Sequence, residues 1–203
     1  MLKRFRIVGL CLVAVFAISS VASATAMAAD EVKPGTYTGK LVAGTKAVFE
    51  AGSAKEECEE SSSTATVAAG TKVGTFIPAT LSYGKCSPAT VTTCTSGVEV
   101  KYLDGDTAGS ETLGANDGLE YKIPASCIKF TILTCTITVG PTGGTTVSTG
   151  ATGYNDSTGI AKFTNAAVAF GSSGSFCPSS PGTYKAEYGP IENGASEKLA
   201  DTA

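Results

Sequence analysis

The stretch Cys127–Gly140, CIKFTILTCTITVG, carries two cysteines eight positions apart in an apolar, threonine-laced run with no glycine or proline between them. Ile128, Phe130 and Ile132 sit at even positions, whereas Leu133, Cys135, Ile137 and Val139 sit at odd ones. The apolar phase therefore breaks between Ile132 and Leu133. A shift of one residue exchanges the two faces of a strand, so the break marks a tight reversal or a bulge. On one straight strand the cysteines would stand about 26 Å apart, while a disulfide needs Cα atoms within roughly 7 Å. A reversal brings a local Cys127–Cys135 bond within reach, and a bulge sends both cysteines elsewhere. Reversal is the reading adopted.

Outward from this stretch the same two-residue rhythm recurs. Val98, Val100 and Tyr102 alternate with Glu99 and Lys101, and Leu119, Tyr121 and Ile123 alternate with Glu120 and Lys122. Ala166, Val168 and Phe170 repeat it, as do Tyr184, Ala186 and Tyr188 against Lys185 and Glu187. Strands that are apolar on one face and wet on the other belong to antiparallel sheets. Asp104-Gly105, Asp117-Gly118, Gly143-Gly144 and Asn193-Gly194 supply turns that reach positive φ at little cost. No segment sustains a helical period. The expected fold is all-β, an antiparallel β-sandwich of Ig-like or jelly-roll-like kind stapled by disulfides. PGTY occurs at Pro34–Tyr37 and again at Pro181–Tyr184, read as a common turn feeding a strand rather than a repeat.

The first thirty residues are of another kind. Lys3, Arg4 and Arg6 precede an apolar run from Ile7 to about Ala17, and Ala26-Met27-Ala28 forms an A-x-A cleavage pattern. That order of parts is a secretory signal over residues 1–28, too short in its apolar run to span a bilayer. Removing 28 of 203 residues leaves a single domain, 29–203, with an ordered core over about 32–191 and a loose C-terminal tail. Three of the fifteen basic residues go with the signal, leaving twelve against 18 acidic ones and a net charge of −6. Such a balance argues against nucleic acid as partner, and no membrane insertion is expected after cleavage. The processed chain also lacks His, Arg, Trp and Met. Without His there is no Ser–His or Cys–His pair, and without Arg no bidentate clamp for phosphate or carboxylate.

Six cysteines follow the signal, an even number that in an exported chain reads as three disulfides. A zinc site would want C-x₂₋₄-C spacing or His, and neither is present. Six cysteines allow 15 connectivities. The preferred set is Cys58–Cys86, Cys127–Cys135 and Cys94–Cys177. The stretches CTITVGP, GIAKFTNAAVAF and GSFCPSSPGTY together resemble a family of uncharacterised secreted actinobacterial proteins. The resemblance covers about the C-terminal third of the chain, with SYGKC at Cys86 a fainter echo. It implies a secreted, disulfide-bonded β domain and no established activity. No glycine precedes Cys135 here to form the turn.

Three features carry candidate chemistry. In KEECEESSS, Glu56, Glu57, Glu59 and Glu60 surround Cys58 and offer Ca²⁺ an oxygen-ligand set, although a solvated charged loop is the plainer reading. Asp104 and Asp106 have the spacing that opens an EF-hand loop, but Ala108 and Ala115 stand where ligands would be needed. Glu99, Glu120 or Asp117 would be the carboxylates of a His-independent glycosidase, yet no Trp is present to hold a sugar ring. Thr134, Thr136 and Thr138 form a row, echoed by Thr90, Thr92 and Thr145-Thr146, that suits a solvent-facing strand. The expected function is that of a non-catalytic secreted or cell-surface structural or interaction protein that binds no cofactor, its partner a cell-wall or extracellular glycan or another protein. The alternative is a glycan- or ligand-binding module that uses Ca²⁺. No apolar C-terminal tail or L-P-x-T-G signal points to covalent anchoring.

Overall fold

The computed structural model describes residues 30–94, 96–104, 117–150 and 153–202. Residues 1–28, read above as a signal, and the 105–116 stretch that holds Asp106 lie outside them. The elements among these residues are strands, paired antiparallel. The first seven are β1 (Glu31–Val32), β2 (Gly35–Lys40), β3 (Ala47–Ala51), β4 (Ala54–Val67), β5 (Ile77–Ser87), β6 (Val98–Leu103) and β7 (Gly118–Ile123). Then come β8 (Ile128–Ile132), β9 (Cys135–Val139), β10 (Thr145–Ser148), β11 (Tyr154–Asn155), β12 (Ile160–Val168), β13 (Phe170–Gly174), β14 (Gly182–Tyr188) and β15 (Asp201–Thr202). No helix among the described residues is long and apolar enough to cross a membrane.

The large sheet runs β10-β7-β6-β5-β4-β3-β14-β12-β11. Both β2 and β3 pair with β4, β3 along Ala54–Cys58 and β2 along Ser62–Val67, so the two occupy one strand position broken at 41–46. The sheet curls until its ends meet. Asp117, leading into β7, bridges Tyr154 of β11, and the Tyr154 amide donates to the Asp117 carbonyl at 2.7 Å. A smaller sheet, β13-β9-β8, packs across one end of this curl. There Phe49 of the large sheet meets Phe130 and Phe170 of the small one edge-on, at 5.3 and 5.6 Å between ring centroids. The alternating residues read from the sequence face inward as expected: Val98, Val100, Tyr102, Leu119, Ile123, Ala186 and Tyr188 are all buried. Both PGTY segments lead into strands, β2 and β14.

The chain does reverse where the apolar phase breaks. Ile132 faces Cys135 across Leu133-Thr134, and Ile128 faces Val139. That register leaves Cys127 at the open end, where the Ser126 amide donates to the Gly140 carbonyl. Five residues of strand, about 17 Å, then separate it from Cys135. The expected Cys127–Cys135 and Cys94–Cys177 bonds are therefore replaced by Cys94–Cys127 and Cys135–Cys177, with Cα atoms 4.7 and 5.2 Å apart. Backbone pairing explains both. Thr92 bridges Lys129, which carries Cys94 to Cys127, and Gly174 faces Cys135, which brings up Cys177. Cys58 and Cys86 face each other on β4 and β5 and are bonded, their Cα atoms 3.9 Å apart. Three disulfides imply folding in an oxidising environment.

Two further expectations change. KEECEESSS is not a loop but the middle of β4, at 14 residues the longest strand described. Its run of Ser and Thr continues the ladder that the glutamates begin, and Ser61 and Ser63 point inward. The C-terminal tail is not loose. Ile191, Leu199 and Ala200 are buried, the Leu199 amide donates to the Ile191 carbonyl, and β15 pairs with β1. A polar stretch with two well-spaced apolar groups was enough to dock.

Candidate functional site

The end of the curl beneath the small sheet is incompletely filled. A cavity of about 70 Å³ lies there, walled by Phe49, Leu81, Ile128, Phe130, Val147 and Phe163 among others. One water needs only about 10–15 Å³ on the same measure, so the space equals that of roughly five waters. Leu81, Tyr83, Tyr121 and Tyr184 line it and are only partly buried. Part of the surface they leave open faces this hollow.

Two polar features lie behind its wall. The first is a chain of hydroxyls. Tyr83 donates to Tyr184 at 3.2 Å, Tyr184 and Tyr188 are linked at 2.7 Å, and Tyr188 and Ser61 at 2.7 Å. Ser61 donates onward to the Ser82 carbonyl at 2.8 Å. Because Ser61 spends its proton on Ser82, Tyr188 must donate to Ser61 and Tyr184 to Tyr188, so every proton points the same way. Tyr83, at the head, keeps an oxygen that can still accept. Tyr121 donates separately to Ser63 at 2.9 Å. Burial pushes the Tyr83 and Tyr121 phenols up to about 12 and also raises Tyr184 and Tyr188, so all four stay protonated across the physiological range.

The second feature is Glu56, 2% exposed on the inward face of β4. Both its carboxylate oxygens lie 3.2 Å from the Ala89 amide, which donates to them. Burial raises its pKa above the usual carboxylate value, with the Ala89 hydrogen bond pulling the other way. Glu56 also clusters with Cys58 and Cys86, but the disulfide between them leaves no thiolate to bind a metal.

The structure disperses the acidic cluster that the sequence offered as a Ca²⁺ set. Glu56 points inward. Glu57 lies on the other face, 2.7 Å from Lys55 and 3.0 Å from Lys46. Glu59 approaches Lys46 at 3.7 Å and Glu60 pairs with Lys85. These four do not converge on one point because alternate positions of a strand face apart and lysines on and beside this strand neutralise the outward ones. Glu99 pairs with Lys122 and Glu120 with Lys101 across β6 and β7, each at 3.0 Å, whereas Asp117 is buried at the sheet's closing seam. The threonines are scattered too: Thr136 and Thr138 belong to β9 of the small sheet, while Thr145 and Thr146 lie on β10 of the large one.

Two features had no clear signal in the sequence. Leu133 is 95% exposed at the β8–β9 turn and Phe176 is fully exposed near the end of β13. Cys135–Cys177 and a Thr134-to-Ser175 hydrogen bond tie their turns together. Both residues have positive φ, 54° and 60°, a conformation that bulky side chains rarely take. At the opposite end of the molecule Asp30, Asp104 and Asp201 draw together from three distant parts of the chain. Compared with protein-family models, with curated proteins and with solved structures, the chain matches none of them.

Proposed function

We propose that this chain is a non-catalytic interaction domain working outside the cytoplasm, and that it takes a small, mostly apolar molecule into the space beneath its small sheet. The observation that carries this is the cavity of about 70 Å³ between Phe49, Leu81, Phe130, Val147 and Phe163. Apolar walls reward apolar contents. The exposed wall here is wholly apolar, with the Tyr83 hydroxyl and the Glu56 carboxyl behind it, so the favoured ligand is a compact apolar body. The protonated tyrosines and the lysine-paired Glu99 and Glu120 support a binding role over a hydrolytic one. Export is supported by the basic–apolar–small order of residues 1–28 together with three disulfides. The likeness to secreted actinobacterial β-domain proteins fits the same reading.

Calorimetric titration of the processed protein with benzene, a compact apolar ring, tests it. Saturable one-to-one binding that disappears in Ala47→Leu, whose larger side chain fills the cavity, is the expected result. Absence of saturable heat for benzene, or equal binding by the filled variant, overturns it. A second reading rests on the exposed pair Leu133 and Phe176, which would press against an apolar patch of a cell-envelope partner. If so, a folded Leu133→Ser, Phe176→Ser double variant no longer sediments with envelope fractions; unchanged sedimentation removes that contact.

A further inference from the structure

The inside of the curl holds a second hollow, about 40 Å³, bounded by Ala65, Val67, Ile77, Val100, Leu119 and Leu199 among others. The strands show how it is placed relative to the first. Along β7 three alternate positions face inward. Leu119 lines the second hollow, Ile123 lines the first, and Tyr121 between them lines both. The neighbouring strands give the same order: Cys58 of β4 and Leu81 of β5 face the first hollow, Ala65 and Ile77 the second. The two spaces therefore lie end to end along the curl. Among the described residues Tyr121 alone belongs to both walls.

Tyr121 is also pinned. Its hydroxyl donates to the Ser63 Oγ at 2.9 Å, and its ring centroid lies 6.1 Å from that of Phe163. Two strands, β5 and β6, separate β7 from β4 in the sheet, so the Tyr121–Ser63 bond spans the inside of the curl as a crossbar. Beside it Tyr188 holds Ser61, two residues earlier on β4, at 2.7 Å. A molecule that pushed the Tyr121 ring aside would break its bond to buried Ser63. Each polar group left unpaired there costs what burying about one to four methylenes gains, so a short alkyl chain does not displace it.

We propose that Tyr121 sets the length of the ligand: it closes the floor of the first cavity, admits one compact hydrocarbon ring and turns away the same ring carrying an extended alkyl chain. This rests on the binding reading of that cavity and narrows its ligand class. The second hollow is the space the chain would enter if the ring were absent.

Calorimetric titration of the processed protein with benzene and with n-butylbenzene provides the test. The parent binds benzene at least about tenfold more tightly than n-butylbenzene. Tyr121→Val joins the two hollows and gains about 10- to 100-fold for n-butylbenzene by burying its chain. Tyr121→Leu, which keeps more bulk at the same position, moves in the same direction by a smaller factor and answers the question if the valine variant does not fold. Tyr121→Phe keeps the ring and therefore the parent's preference. Equally tight binding of both compounds by the parent, no gain for n-butylbenzene in the valine and leucine variants, or a phenylalanine variant as relaxed as the valine one overturns the assignment. If the parent takes up no benzene but Tyr121→Val binds n-butylbenzene, the reading of the first cavity fails and the dividing role of Tyr121 stands. If neither compound binds any of the four proteins, both fall.

Discussion

The two ends of the curled sheet solve the same closing problem with different chemistry. At one end, aromatic rings and covalent bonds do it. Phe49 is wedged against Phe130 and Phe170, and the small sheet is tied down through Cys127 at the start of β8 and Cys135 at the start of β9. At the other end the closure is polar. Tyr154 donates its hydroxyl to the Leu199 carbonyl at 2.7 Å, Lys33 donates its amide to Ala200, Lys198 pairs with Glu192, and no disulfide lies there among the described residues. The comparison teaches where a small disulfide-bonded fold places its cysteines. Two of the three bonds hold a separate lid and the third joins β4 to β5, whereas the strands at the far seam are already joined through β1 and β15.

The contrast can be broken or sharpened by mutation. The largest effect is expected at the aromatic wedge: Phe49→Ala, which empties a buried site already beside a cavity, costs about 3–5 kcal/mol in denaturant unfolding. A loss below about 1 kcal/mol would mean that the rings cover the curl without stabilising it. Next comes the lid bond. Cys135→Ser with Cys177→Ser opens a loop that should cost about 2–4 kcal/mol. Amide exchange should then quicken in β8, β9 and β13 while the Tyr154 and Leu199 amides keep their protection. Equal quickening at both ends would show that they open as one unit.

The smallest effect concerns Glu56. Its folded pKa lies above the unfolded value because burial disfavours the charged form, so the stability it contributes is present below about pH 4.5 and falls as pH rises through the folded pKa. Glu56→Gln removes that loss. At pH 7 the variant should gain at most about 1 kcal/mol, and the gain should vanish near pH 4. A variant less stable than the parent at pH 7 would mean that the carboxylate's bond to Ala89 outweighs its burial.

Much of this architecture is legible in the order of residues. Val98-Glu99-Val100-Lys101-Tyr102 and Leu119-Glu120-Tyr121-Lys122-Ile123 announce their strands and faces by alternation, and the phase break at Ile132 marks the reversal. What is not legible depends on strands distant in sequence. Cys127 could not be matched with Cys94 without knowing that Thr92 runs beside Lys129. β4 escapes because four glutamates and three serines look like solvated loop, whereas lysines on and beside the strand and inward hydrogen bonds from Ser61 make them good ladder. The candidate sites were hidden for the same reason. Tyr83 stands 101 residues before Tyr184 and meets it only when the sheet curls, and Asp30, Asp104 and Asp201 become neighbours only when it closes.

The pairing of β1 with β15 has a mechanical consequence. Glu31 faces Thr202, so residues near the two extremes emerge side by side and a force separating them peels two residue pairs in succession instead of shearing them together. The same adjacency makes the fold nearly circular. A linker of a few residues could join Asp30 to Thr202, and new termini opened at an exposed hairpin such as Gly52-Ser53 would leave the strand order intact.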